Sequence, residues 1–226
     1  PSKPSKEQII NQAFKFHSQG NIQEAAKYYQ YFINQGFKDH IVFFNYGTIF
    51  KGLGKLKEAE KLIRKTIELN PNFAEAHYNL GNILKDLGHL VDAELSYRKA
   101  IEIKPDFADA HINMGNILID LGKLQEAEIS TRKAIDLKPD CAEAYSNLGN
   151  ILKDLGQLDN AELSTRKAIK LKPDLAICYQ NLSLLLYAKG NINLAVENIE
   201  KAFSIDPISK DNQLLISILR DRKIKE

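Results

Sequence analysis

Cysteine is scarce in this chain, with Cys141 and Cys178 the two among 226 residues. They fit no C-x-x-C spacing and stand beside no histidine pattern, so neither a disulfide framework nor a zinc site is expected. Two small buried thiols in a reducing cytoplasm is the simpler reading, which makes the expected location cytoplasmic. No run of 18 apolar residues and no signal-peptide pattern occurs, so no membrane partner is expected. Neither sign of charge dominates: the net charge is +2 with 27% charged residues. A duplex nucleic-acid binder needs a concentrated basic face, and none is written here. Catalytic signatures are missing too. His17, His40, His77, His89 and His111 form no metal-ligand spacing, and no G-x-S-x-G, P-loop or Rossmann fingerprint is present. The expectation is a chain without catalytic residues, metal or cofactor. It starts at Pro1 rather than Met, as a processed chain or a piece of a longer one would.

What is abundant is repetition. Residues 74–107 read AEAHYNLGNILKDLGHLVDAELSYRKAIEIKPDF, and residues 142–175 agree with them at 25 of 34 positions. Such agreement decides the architecture before any local pattern does. The period runs outward without insertion: prolines recur at Pro71, Pro105, Pro139, Pro173 and Pro207, glycines from Gly20 to Gly190, alanines from Ala25 to Ala195. Six units in one phase follow, 6–39, 40–73, 74–107, 108–141, 142–175 and 176–209, between a short tail at 1–5 and a segment 210–226. Repeats of this kind pack on their neighbours instead of around one core.

The residues Leu80, Gly81, Gly88, Ala93, Tyr97, Ala100 and Pro105, with their counterparts in the other units, resemble the tetratricopeptide repeat family across most of the chain. The resemblance implies an all-α, right-handed α-solenoid of six helix-turn-helix repeats. The family's large aromatic of the first helix stands as Phe43, His77, His111, Tyr145 and Tyr179, which makes His77 and His111 half-buried packing residues. Function does not follow from such a fold alone.

Local signals place the helices. Ser5 with Gln8 reads as a capping box opening a helix over 6–18, with a second over about 22–35. Asn72 with Glu75, Asp106 with Asp109 and Asp140 with Glu143 repeat the box after each proline, while Asp174 faces Ile177 and lacks a partner. Gly88, Gly122 and Gly156 suit positive φ at hairpin turns. Ala93, Ala100, Ala127 and Ala134 keep paired helices close. Eleven of the nineteen Phe and Tyr residues precede residue 51, more than one interhelix core needs. Ile9, Ile10, Phe14 or Phe16 is therefore expected to keep exposed apolar area, a possible route to homo-oligomers through the first repeat. At the other end, Leu214, Leu215, Ile216, Ile218 and Leu219 would cover the last unit from a capping helix at about 211–222, fraying beyond it.

The candidate site is a double file of amides. Asn11, Asn45, Asn79, Asn113, Asn147 and Asn181 hold one slot in each unit, and Asn82, Asn116 and Asn150 lie three residues further on, on the same helix face. By resemblance these helices line a concave groove. A primary amide carries donor and acceptor and can pair with a peptide bond of any sequence. The files resemble the asparagine ladder in the repeat arms of the O-linked N-acetylglucosamine transferases. The other reading open here is that the amides belong to the family pattern and bond between neighbouring helices. Phe44, Tyr78 and Ile112 would form side-chain pockets beside the ladder. With Ser146 and Gln180 they also occupy the slots where carboxylate-clamping relatives carry cations, so no carboxylate clamp is expected. Arg64-Lys65, Arg98-Lys99, Arg132-Lys133 and Arg166-Lys167 each follow a Glu four residues earlier, the favourable helix ion pair of a solvated face.

The function expected is a scaffold holding an extended peptide or protein segment. The alternative is a substrate-recruiting arm of a larger transferase whose catalytic domain lies outside these residues.

Overall fold

Ser5 opens the first helix as its sequence predicts. Its Oγ accepts the Gln8 N–H at 3.2 Å, and the Gln8 side chain accepts the Ser5 N–H at 2.8 Å. The computed structural model describes residues 4–223, with side chains through Leu219, and among them every regular element is an α-helix. The fraying expected after residue 222 lies largely outside the described residues.

Two units divide at the link between the third and fourth repeats, the first ending at Pro105 and the second starting at Asp106. The first holds α1 (Lys6–Ser18), α2 (Ile22–Asn34), α3 (His40–Gly52), α4 (Leu56–Leu69), α5 (Ala74–Asp86) and α6 (Leu90–Ile103). The second holds α7 (Ala108–Asp120), α8 (Leu124–Leu137), α9 (Ala142–Asp154), α10 (Leu158–Leu171), α11 (Ala176–Ala188), α12 (Ile192–Ile205) and α13 (Lys210–Lys223). In each unit consecutive helices pair as hairpins, and the hairpins stack in chain order, with α13 closing on α12.

The turn inside a hairpin is closed by backbone bonds. At Gly88, φ is +81°, its N–H reaches Lys85 O, and the His89 N–H reaches Leu84 O at 2.8 Å. This left-handed cap satisfies the last carbonyls of α5 where a side chain would be strained. A different glycine brings the two helices together. A Cβ on Gly81, in mid-helix, would lie 2.6 Å from the Tyr97 ring, and the equivalent Gly115 and Gly149 stand against Thr131 and Thr165. Reading the glycines as turn residues thus accounts for half of their work.

Links between hairpins differ from expectation by one residue. The N-caps of α5, α7 and α9 are Phe73, Phe107 and Cys141, none with a side-chain cap bond. Asn72, Asp106 and Asp140 therefore sit one position too early to cap. Apolar anchoring takes the N-cap slot: the Phe73 ring packs 4.8 Å from Phe44 and edge-on to His40 at 5.7 Å. Asp39 occupies this same slot before α3, and there the carboxylate accepts from Ile41 N–H and Val42 N–H.

Most of the N-terminal aromatics are spent on internal contacts, while Tyr31 is 37% exposed. Ile9 is buried, and Ile10, Phe14 and Phe16 are half-buried against a core of Tyr29, Phe32, Val42 and Tyr46. Ile9 keeps no exposed area, and Ile10, Phe14 and Phe16 keep only part of theirs. At the far end Leu219 is buried and Leu215 and Ile216 pack on the last hairpin, whereas Leu214 and Ile218 face solvent at 62% and 45% exposure. A helix has one buried stripe, and these two lie off it.

Two substitutions test this arrangement by thermal or urea unfolding. Gly81→Ala drives a methyl into the Tyr97 ring and is expected to cost about 1–3 kcal/mol. Asp39→Ala removes a working cap, costing about 0.5–2 kcal/mol, while Asp140→Ala leaves stability nearly unchanged.

Candidate functional site

The first helices of the hairpins carry the asparagines, and the structure separates them into three groups. The first group is interior. Asn82 is 9% exposed and its Oδ1 accepts from Tyr97 Oη at 2.8 Å. Burial pushes the Tyr97 hydroxyl far above the ordinary phenol range, so it remains a donor. The second group is half-buried and bonded to the preceding repeat. Asn45 Nδ2 donates to Tyr29 Oη at 3.3 Å, Asn181 Nδ2 to Ser146 Oγ at 3.4 Å, and Asn147 Nδ2 to Asn116 Oδ1. Bonding between neighbouring helices therefore accounts for part of the pattern. Asn79 and Asn150 form the third group, half-buried with no hydrogen bond among the described residues. Asn113 is half-buried on α7.

In the second unit the two files meet at one cleft of about 460 Å³. Asn147 and Asn150 stand in its wall on α9, with Ser146 and Glu143 beside them. Leu171, Leu175 and Ile177 supply an apolar side, and Ile177 is 46% exposed. Asn147 uses one N–H of its amide on Asn116, which leaves its second N–H and its Oδ1, while the Asn150 side chain has no hydrogen bond among the described residues. Such a surface can receive a peptide N–H and C=O together.

Of the expected pocket side chains, Ile112 is corrected. It is 6% exposed, clustered with Ala134 and Ala144, and belongs to the core between α7, α8 and α9. Phe44 and Tyr78 are half-buried, each with one face committed: Phe44 on Phe73, and Tyr78 with its ring centroid 6.0 Å from Tyr97. His77 and His111 are more buried than expected, and His77 Nε2 bonds Pro71 O at 2.8 Å, tying the α4–α5 link. Of the cysteines, Cys178 is buried and its thiol pushed up by that burial, while Cys141 is half-buried at the start of α9.

All four Glu–Arg pairs form, at 2.8–2.9 Å. Their acids are less solvated than the pattern suggested, Glu94 being 4% exposed. Two features escaped the sequence reading. Leu95 at 60%, Ile129 at 71% and Leu163 at 69% exposure stand among these charges on the second helices of their own units. Lys189, at the end of α11, reaches back to α10 and clasps Asp159 at 2.7 Å and Glu162 at 2.6 Å. A spacing of 27 to 30 residues carries no signature, though the Asp–x–x–Glu pair one hairpin earlier is visible once the period is known. Among the described residues no His, Cys, Asp and Glu group could hold a metal, and no helix is long and apolar enough to cross a membrane.

The clasp has a pH signature. The hydrogen bond from Lys189 holds the Asp159 and Glu162 carboxyls below their usual range and raises the Lys189 ammonium. Depressed acids stabilise the fold above the ordinary carboxylate range and lose that effect as pH falls through their folded values. The raised lysine contributes until pH climbs past the ordinary lysine range. Lys189→Met is expected to lower Tm at neutral pH and to converge with the parent at low pH. Tm curves for both proteins across the acid range check this.

Tetratricopeptide repeat models match residues 74–107 and 142–175, 47–88 and 115–156, 96–129, and 176–209. A search of curated proteins finds no match. Among solved structures, a MamA crystal structure is 27% identical, covering 71% of this chain and 94% of that one at TM-score 0.67. YrrB, described as a TPR protein with an unusual peptide-binding site, is 24% identical over 84% of this chain and 97% of that one at TM-score 0.71. A tetratricopeptide repeat protein from Parabacteroides merdae is 20% identical over 97% and 87% at TM-score 0.79. At their lower identities the last two speak to the fold alone. Matched without a gap from residue 47 to residue 209 and built of stacked helical hairpins, the chain belongs to the tetratricopeptide repeat family.

Proposed function

We propose that this repeat scaffold binds an extended peptide segment by its backbone, along the first helices of the second unit. The observation that carries the reading is the cleft where Asn147 and Asn150 stand beside Leu171, Leu175 and Ile177. An amide without an internal partner, half-buried beside apolar surface, loses part of its hydration and regains it from a bound peptide bond. Asn113 and Asn116 flank this position on α7. Asn79 offers the same chemistry on α5 in the first unit. Asn45 and Asn181 are held by Tyr29 and Ser146 and serve mainly to fix their helices, and Asn82 is structural. That YrrB is described with a peptide-binding site supports peptide binding as a use of this fold.

Backbone recognition predicts uniform losses. Against a bead-bound library of extended peptides, the Asn147→Ala/Asn150→Ala protein should retain each sequence more weakly by about 1–3 kcal/mol, two neutral hydrogen bonds' worth. The order of preference among sequences should hardly move. Asn82→Ala should instead lower Tm. Unchanged retention by a fully folded double variant would contradict the proposal, as would a parent protein that retains no peptide.

A further inference from the structure

Besides the asparagine cleft, the first unit has a second hollow on the side of its second helices. It is a trough of about 660 Å³ with α3 as floor and α2 and α4 as walls. Tyr46 and Phe50 form the floor, Ile33 and Leu62 the apolar walls. A neighbouring hollow of about 420 Å³ shares Gln30 and Tyr46 and extends along α2. Its size lies in the range of clefts that enclose a ligand, about 300–1,000 Å³. Where later hairpins hold Ala100, Ala134, Ala168 and Ala202, α2 holds Phe32, fully buried beside Phe37 at 5.3 Å. On the rim Arg64 pairs with Glu60 and Lys65 with Glu68, but Lys61 has no ion pair among the described residues.

The same chain carries a matching ridge. On α13, Leu219, Leu215 and Ile216 are spent on the last hairpin, so the opposite face is free. Leu214 and Ile218, one turn apart, project from that face, and Asp211 one turn before Leu214 is exposed with no ion pair among the described residues. Ile208, 87% exposed, precedes the helix.

We propose that the α13 ridge of one copy docks in the α2–α3–α4 trough of a second copy. Leu214 and Ile218 lie on Tyr46, Phe50 and Leu62, and Asp211 meets Lys61. An apolar helix face in an apolar groove is a recognised docking mode, read as i and i+4 anchors. The contact joins two different surfaces, so each copy keeps one free end and the chains assemble head to tail. A single helix in a groove is at the small end of stable interfaces, so the association is weak and depends on concentration.

Sedimentation velocity of the full chain, from low to high micromolar concentration, tests it. The parent is expected to grow beyond a dimer as concentration rises. Lys61→Glu with Leu62→Glu blocks the trough, and Leu214→Glu with Ile218→Glu blocks the ridge; each variant alone should remain monomeric. Mixed in equal amounts they should form a dimer and nothing larger, because each supplies one working end. Circular dichroism checks that both are folded. Should the trough variant unfold, Lys61→Glu alone should weaken assembly, and Lys61→Glu/Asp211→Lys should restore it. A parent that stays monomeric, a folded blocked variant that still assembles, or a mixture that gives no dimer overturns the proposal.

Discussion

The distance between the two helices of each hairpin is the constraint on which the rest depends. It is set by a small residue facing a side chain that needs its space: Gly47 against Ile63, Gly81 against Tyr97, Gly115 against Thr131, Gly149 against Thr165. The last hairpin uses Ser183, which donates to Ala195 O at 2.7 Å and so keeps a buried hydroxyl satisfied at close range. Interiors packed this tightly resist even one added methyl group. With the spacing held, each first helix presents the same faces to its neighbours, and the asparagine slots recur in register within each unit.

Small shifts in that frame then sort identical residues into different work. Asn82 and Asn150 hold the same slot, yet Asn82 is tied by the Tyr97 hydroxyl, whereas Thr165 in the corresponding place turns its Oγ1 to Ala161 O and leaves Asn150 alone. A tyrosine exchanged for a threonine on the second helix thus converts a structural amide into an available one. Phe32 likewise sets a buried ring in the slot where the later hairpins hold Ala100, Ala134, Ala168 and Ala202.

Much of the fold was legible in the sequence because the period fixes prolines, glycines and alanines at defined places, and the bounds expected for α1, α2 and α13 hold within a residue or two. The caps misled by one position, since Asn72, Asp106 and Asp140 are good capping residues and nothing local shows that Phe73 or Cys141 will take the N-cap instead. Candidate site residues were harder. Periodicity puts Asn79 and Asn82 on one face, but which of them is covered depends on Tyr97, fifteen residues beyond Asn82, and on the tilt of the facing helix. Ile112 fell on the wrong side for the same reason. The excess of aromatics before residue 51 was visible, and its consequence was only partly placed: Phe14 and Phe16 pack on the first core, while Tyr46 and Phe50 line the hollow between α2, α3 and α4.

The central claim is that side-chain amides on the first helices are the groups that touch a bound chain. Side-chain NH₂ resonances of asparagine, followed by ¹⁵N-correlated NMR during titration with a retained peptide, report on those atoms directly. The account predicts that the Asn150 and Asn147 amide signals move with saturating dependence on peptide while the Asn82 signal stays in place. Peptide binding with the Asn147 and Asn150 amide signals unmoved would contradict it.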